Sequence, residues 1–133
     1  MASSPTVLAG SDLTAALLGV PAFTAMSLLN SWVNVGAGFV TAQFRVWPLI
    51  NEVEVIGAIA NGTIANGTAI ATLTSTPASI QDIPMLIIGG SPSGGTAGVT
   101  PLLRLQTSGS LQVFDIPTST TQVMFHGWYS LDA

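Results

Sequence analysis

The side chains able to perform acid–base chemistry are few in this sequence: two arginines, six carboxylates and one histidine. His126, together with Asp115 or Asp132 and a serine, supplies the residue types of a hydrolytic triad. The expected context of the nucleophile is missing, because no Gly-x-Ser-x-Gly turn occurs and Ser91 and Ser93 lie in the glycine-rich stretch GGSPSGG. We therefore predict no enzymatic activity and interpret His126, in VMFHGWY, as a strand residue bonded to a neighbour.

Two carboxylates in the stretch EVEV raise the question of a metal site. Glu52 and Glu54 share one face of a predicted strand and, with help from a loop, could bind calcium, but the favoured interpretation is two solvated carboxylates. One histidine and no cysteine leave no zinc site of the usual kind. The glycine-rich residues 89–98 lack the lysine of a phosphate-binding loop and are interpreted as a mobile hairpin. We expect no metal and no cofactor.

Aromatic side chains offer a second kind of chemistry, stacking against the apolar face of a sugar ring. In so small a domain, tryptophans more often pack in the core or at a subunit interface than against a ligand. The residues predicted at an oligomer interface or in ligand stacking are Trp32, Phe39, Phe44, Trp47, Trp128 and Tyr129.

Charge is scarce: 6% of the residues are charged and the net charge is −4. A monomer with so few charges would expose large weakly polar areas, so we predict a homo-oligomer. The chain has no lysine to neutralise phosphates, which argues against nucleic acid. The most apolar stretch, residues 15–23, is interrupted by Gly19 and Pro21, so no membrane insertion is expected. Asp12, without a preceding basic region, argues against a signal peptide.

The polar and apolar pattern predicts one β domain, residues 26–133, behind an N-terminal docking arm, residues 1–25. Within the arm, Ser11 can cap a short helix over DLTAALL that ends at Gly19. The residues predicted to dock the arm onto a partner are Leu13, Leu17, Leu18 and Phe23.

After residue 25 the apolar residues alternate with a period of two, which predicts half-buried antiparallel strands. The alternation is clearest in FVTAQFRVW and EVEVIGAI, and further strands are predicted over residues 68–74, 84–89, 99–107, 110–116 and 121–131. We interpret SWVNVGAGFV, residues 31–40, as the first hairpin, with Gly36 and Gly38 permitting its turn. Both Asn-Gly-Thr triplets in residues 59–68 are interpreted as tight corners of one loop rather than as glycosylation sites. The strand spacing predicts an all-β, antiparallel β-sandwich or barrel, and of the two we expect a jelly-roll-like sandwich.

Several stretches together resemble the small tail and fibre proteins of tailed phages that infect actinobacteria. They are GSDLTAALL, WVNVGAGF, VIGAIANGTIANGTAIATL, LQTSGSLQV and GWYSLDA. The resemblance implies a β-sandwich displayed on the virion surface, commonly as a symmetric trimer, with other virion proteins as partners and a host-surface glycan as a further one. After Leu73 the sequence departs from the family pattern, at TSTPASIQDIP.

The function expected from the sequence is accordingly a non-enzymatic structural protein of a phage virion. A capsid decoration protein is the alternative, because it needs the same arm and outer domain. A carbohydrate-binding module is the further alternative.

Overall fold

The computed structural model describes residues 19–90 and 100–132, and these ranges contain β-strands and no helix. The strands are β1 (Thr24–Ala25), β2 (Val33–Asn34), β3 (Gln43–Trp47), β4 (Glu52–Ala60), β5 (Thr68–Thr72), β6 (Gln81–Gly90), β7 (Leu102–Leu105), β8 (Ser110–Phe114) and β9 (Thr120–Ser130). The predicted all-β class is confirmed for this part of the chain. The predicted short helix, with Leu13, Leu17 and Leu18, lies outside the described residues, and so does most of the glycine-rich hairpin predicted over residues 89–98.

The strands form one curled antiparallel sheet in the order β1-β3-β4-β9-β6-β7-β8-β5, and β2 also pairs with β4. The first half of β6 pairs with β7, through Gln81 to Pro84, and the second half pairs with β9. The Gln81 side chain continues the β6–β9 pairing by bonding the backbone oxygen and nitrogen of Ser130 at 2.7 and 3.0 Å. Because its two halves have different partners, β6 forms the corner at which the sheet curls.

The hydrophobic core lies inside this curl. β4 and β9 pair over nine positions, from Glu52 opposite Ser130 to Ala60 opposite Gln122, and every second side chain faces inward. The inward residues of β4, β7, β8 and β9 are fully or almost fully buried and include Val53, Val55, Leu103, Leu105, Leu111, Val113, Val123 and Phe125. Each buried aliphatic or aromatic side chain of this size contributes about 1.5–3 kcal/mol of hydrophobic stabilisation.

The stretch SWVNVGAGFV does not form the predicted hairpin. β2 and β3 both run antiparallel along the same edge of β4, with Val33 opposite Ala60 and Gln43 opposite Ile56. Ten positions separate Val33 from Gln43 but only four separate their partners, so six residues bulge out of a single interrupted strand. Gly36, Ala37 and Gly38 take positive φ angles of 73°, 50° and 90° in this bulge, which explains the glycines without a hairpin.

Residues 26–30 join the two ends of the strand order. The Met26 backbone nitrogen donates to the Ala42 oxygen beside β3 at 2.9 Å, and the Leu29 nitrogen donates to the Ile70 oxygen of β5 at 2.8 Å. The Asn30 side chain adds a bond to the Ala69 oxygen at 2.7 Å. The edge of β5, which would otherwise offer free backbone groups to another chain, is therefore partly covered.

The last residues of the predicted arm contact the β domain. In β1, Thr24 pairs with Phe44 and Ala25 with Gln43. The sheet thus begins slightly before the predicted domain boundary at residue 25. Within the two described ranges, the structure shows no helix long and apolar enough to cross a bilayer.

Candidate functional site

The solvent-facing side of β3, β4, β9 and β6, which we name the outer face, carries a group of polar and aromatic side chains that contact one another. Strand alternation brings every second residue of each strand to this side. Arg45 lies opposite Glu54, Glu54 opposite Trp128 and Ile56 opposite His126. Further along β9, Met124 lies opposite Leu86 of β6. The same alternation that fills the core therefore assembles this face.

Glu54 is the centre of the polar group. Its carboxylate accepts a bond from Arg45 Nε at 2.6 Å and from Trp47 Nε1 at 3.3 Å, both at Oε1, while Oε2 lies 2.7 Å from His126 Nε2. The residue is only 5% exposed, although it lies on the outer face. The prediction of a solvated carboxylate is wrong for Glu54, because side chains from both neighbouring strands enclose it.

The charge state of Glu54 follows from two opposing effects. Burial is the larger single influence and favours the neutral acid, but the hydrogen bonds from His126, Arg45 and Trp47 together outweigh it. These hydrogen bonds and the positive charge of Arg45 together hold the pKa of Glu54 below its usual value. The carboxylate is therefore ionised at neutral pH and serves as a fixed acceptor for three side chains.

Arg45 connects the chain before β1 to the outer face. Its guanidinium lies 4.0 Å from the ring centre of Phe23 and 4.8 Å from that of Trp47. Its Nη1 also donates to the Pro21 backbone oxygen at 3.4 Å. Phe23, predicted to dock the arm on a partner, thus stacks on this chain's own arginine, a cation–π contact of about 0.5–2 kcal/mol.

Trp47 and Trp128 form an aromatic pair beside Glu54. Their ring centres are 5.9 Å apart and the planes are tilted by 42°. Trp128 is 44% exposed, whereas Trp47 is half-buried beneath its neighbours. Of the two, Trp128 presents the larger surface for contact with another molecule.

A shallow apolar depression of about 310 Å³ continues the outer face beyond this pair. It lies between β6 and β9 and is lined by Pro84, Met85, Leu86, Met124, Phe125 and His126. Leu86 at its rim is 61% exposed. The depression has few polar groups with which to orient a polar small molecule, because His126 alone among its lining side chains carries nitrogen or oxygen.

Several predicted interface or stacking residues lie elsewhere. Trp32 and Tyr129 are 3% and 1% exposed and belong to this chain's own core, so neither presents a face to a partner. Tyr129 donates its hydroxyl to the Ser75 backbone oxygen at 2.6 Å, and burial raises the pKa of this phenol. Phe44 is half-buried against the core, and Phe39 is exposed at the end of the bulge after β2.

The residues of the hypothetical triad do not come together around His126. Its ring nitrogen bonds to Glu54, in agreement with the predicted strand histidine satisfied by a neighbour. Asp115 follows β8, where its backbone nitrogen bonds to Asn66, and the side chain of Asp132 contacts Asn51. In the described ranges, no three histidine, aspartate or glutamate side chains lie close enough together to hold a metal ion.

The contacts that join Glu54, Arg45 and Phe23 were not predicted from the sequence. Two features of the sequence indicate that Glu54 could be paired. Glu54 lies between two valines that the core requires, and the chain has only two cationic side chains with which a carboxylate could form an ion pair. Strand register, which no local pattern contains, decides that Arg45 and His126 flank the carboxylate from either side. A comparison with protein-family models gives no match, and neither does a comparison with curated proteins.

Proposed function

We propose that the protein is a non-enzymatic structural protein of a tailed-phage virion. In this proposal the chain assembles as a homotrimer, its N-terminal arm docks on the particle and its β domain faces outward. The observation that carries the proposal is the outer face, where the ion-paired groups are satisfied within the chain while Trp128 and Leu86 remain exposed. Such a surface suits a protein that contacts other proteins in a stable assembly.

The two arginines support a structural rather than a catalytic role. Arg45 is bonded to Glu54, and Arg104 makes a two-pronged pair with Asp82 at 2.8 and 3.0 Å. His126 is likewise bonded to Glu54. Each of these pairs joins two neighbouring strands: β3 and β4, β6 and β7, and β4 and β9.

For the architecture we propose a jelly-roll-like sandwich. Its two layers would be β3-β4-β9-β6 and β5-β8-β7, joined where β6 changes partner. Side chains from both groups of strands pack in one core, including Val55 and Phe125 from the first and Leu103 and Val113 from the second. The sandwich would give the protein a rigid outer domain that needs neither metal nor disulfide.

The outer face also supports two other functions. A capsid decoration protein would use the same arm and the same exposed face. A carbohydrate-binding module is favoured by one observation, the exposed Trp128 ring beside Trp47, because sugars stack on such rings.

The experiment uses antibodies raised against the purified full-length protein. Phage particles recovered from a lysate of the organism that encodes the chain are analysed by peptide mass spectrometry and by immunogold electron microscopy. Gold at the tail or its fibres supports the proposal, and gold on the head supports the decoration protein. Particles that lack the protein, combined with specific binding on a glycan array, would establish the carbohydrate-binding module instead.

A further inference from the structure

We propose that Asn61 is a site of spontaneous covalent modification, at which asparagine is converted to aspartate and isoaspartate, and that the fold protects Asn66 from the same reaction. The two asparagines lie in adjacent copies of the pentapeptide IANGT, residues 59–63 and 64–68. The reaction concerns the chain itself and does not depend on the proposed function.

The reaction needs an asparagine, a small residue after it, and water. The backbone nitrogen of the next residue attacks Cγ of the asparagine, the Cγ–Nδ2 bond breaks, and the proton of the attacking nitrogen goes to the ammonia that leaves. Water then opens the cyclic imide, at Cγ to give aspartate or at the backbone carbonyl to give isoaspartate. Glycine as the next residue favours the attack, because no Cβ atom hinders the approach of its nitrogen. Either product carries a carboxylate in place of the neutral amide.

Hydrogen bonds hold both reacting groups of the second copy. Asn66 Oδ1 accepts a bond from the Asp115 backbone nitrogen at 2.8 Å, and the Gly67 nitrogen donates to the Val113 oxygen at 2.9 Å. Rotation of the Asn66 side chain breaks the first bond, and removal of the proton from the Gly67 nitrogen breaks the second. The reaction at Asn66 therefore requires a local opening of the structure.

The reacting groups of the first copy lack these restraints. Asn61 is exposed, and within the described ranges neither its side-chain amide nor the Gly62 nitrogen has a hydrogen-bond partner. The backbone bonds on either side, from Asn61 nitrogen to Thr121 oxygen at 2.9 Å and from Thr63 nitrogen to Asn30 oxygen at 3.1 Å, contain no atom that reacts. The amide and the nitrogen can therefore meet without the loss of a hydrogen bond.

The backbone conformation of Asn61 favours the reaction further. Its φ angle is 62°, in the left-handed region that costs energy for residues other than glycine. A change of conformation toward the cyclic imide relieves this cost instead of adding to it.

Conversion of Asn61 to isoaspartate should loosen the fold beside it. Isoaspartate continues the chain through its Cβ and Cγ atoms, so it lengthens the backbone before Gly62 by one carbon atom. Gly62 packs against the buried ring of Trp32 and leaves no room for a Cβ atom between them. The lengthened chain must displace one of the two residues, and the modified protein should unfold at a lower urea concentration.

The test uses the identity of the two pentapeptides as an internal control. Folded full-length protein and protein unfolded in urea are incubated in mildly alkaline buffer made with isotopically heavy water oxygen, and tandem mass spectrometry of proteolytic peptides locates each labelled residue. In the folded protein we expect Asn61 to react at least about tenfold faster than Asn66, because only Asn66 must first lose two hydrogen bonds. In urea the two rates should agree within about twofold, because the local sequences are the same.

Two variants form a matched pair for the same measurement. Glutamine would have to close a larger ring, so it reacts far more slowly than asparagine. We expect Asn61→Gln to remove most of the ammonia released by the folded protein and Asn66→Gln to leave the release unchanged. Circular dichroism checks that both variants fold, and the comparison within the wild-type chain needs neither of them.

The effect on stability has its own control. Asn61→Asp carries the aspartate product without the lengthened backbone. Converted protein, purified by ion exchange, should unfold in less urea than both Asn61→Asp and the unmodified chain. Equal urea midpoints for the three proteins would overturn the predicted displacement beside Trp32.

The rates decide the rest of the proposal. Equal rates at Asn61 and Asn66 in the folded protein would overturn it, and so would a folded protein in which neither residue reacts. An equally strong preference for Asn61 in urea would also overturn it, because the preference would then belong to the sequence and not to the fold. A preference for Asn61 that is confined to the folded protein would support it.

Discussion

The buried indole of Trp32 packs directly against the backbone of Gly62. A Cβ atom at Gly62 would lie 2.0 Å from Cδ2 of the ring, a distance at which one of the two residues must move. In the second Asn-Gly-Thr triplet, Gly67 has a φ angle of 85° and open space around the position of a Cβ atom. Two identical triplets thus need glycine for different reasons, the first for close packing and the second for backbone conformation.

Substitution of Gly62 is therefore expected to cost more than substitution of Gly67. Gly62→Ala must displace the Trp32 ring from the core and should lower the free energy of unfolding by about 2–4 kcal/mol. Gly67→Ala should lower it by about 1–2 kcal/mol, the cost of placing a Cβ atom in the left-handed region. Urea denaturation followed by circular dichroism measures both, and equal losses would contradict the packing role of Gly62.

Loss of the Glu54 carboxylate should destabilise the domain. Glu54→Gln removes the negative charge that Arg45 and His126 face, and we expect the free energy of unfolding to fall by about 1–3 kcal/mol. Glu52→Gln is the matched control, since Glu52 lies two residues away on the same strand without the buried pairing and should change stability by less than about 0.5 kcal/mol. If both variants have the stability of the wild type, Glu54 does not hold β3 and β9 to β4 through its charge.

Stability should fall in acid, and Glu54 should account for much of the loss. The pKa of Glu54 is lowered on folding from its usual value of 4.5, so its contribution is complete above about pH 5 and disappears as the pH falls through its lowered pKa. Asp82, whose pKa the hydrogen bond from Arg104 lowers from 3.8, acts in the same direction, but its exposed pair contributes less. Melting temperatures of wild type and Glu54→Gln between pH 7 and pH 3 should converge, and a constant difference would disprove this account.

The hydroxyl of Tyr129 should contribute measurably to stability. Tyr129→Phe removes the 2.6 Å bond to the Ser75 oxygen and leaves the ring in place, so we expect a loss of about 1–2 kcal/mol. A titration of tyrosine absorbance checks the same environment, because this chain has a single tyrosine and its phenol should ionise only when alkali unfolds the protein. Ionisation of the folded protein near pH 10 would show that Tyr129 is accessible.

Most strands could be predicted from the sequence because each strand alternates between side chains that face the core and side chains that face the solvent. The predicted strand over residues 110–116 contains β8 (Ser110–Phe114), and the predicted strand over 121–131 covers nearly all of β9 (Thr120–Ser130). Alternation identified these elements locally. The partners of each strand could not be found in that way, since sheet order depends on residues far apart in the chain.

The two errors have that common cause. In SWVNVGAGFV, glycines with positive φ serve a hairpin turn and a bulge equally well, and pairing with β4 decides between them. For Glu54, alternation correctly predicts the outward side of β4 but not its enclosure by Arg45 and His126. For Trp32 and Tyr129 the sequence left core and interface positions open, and contacts with Gly62 and Ser75 accompany their burial in the core.

The central position of β9 has a consequence for synthesis on the ribosome. β4 and the second half of β6 do not pair with each other, because β9 lies between them and supplies the backbone partners of both. A nascent chain that has emerged only as far as residue 115 therefore contains both flanking strands without the one that joins them. The domain should fold only after residues 120–130 have left the exit tunnel, as a late cooperative step that takes on the order of milliseconds to seconds. Until that step, the growing chain exposes apolar strands with unpaired edges, which are prone to aggregate.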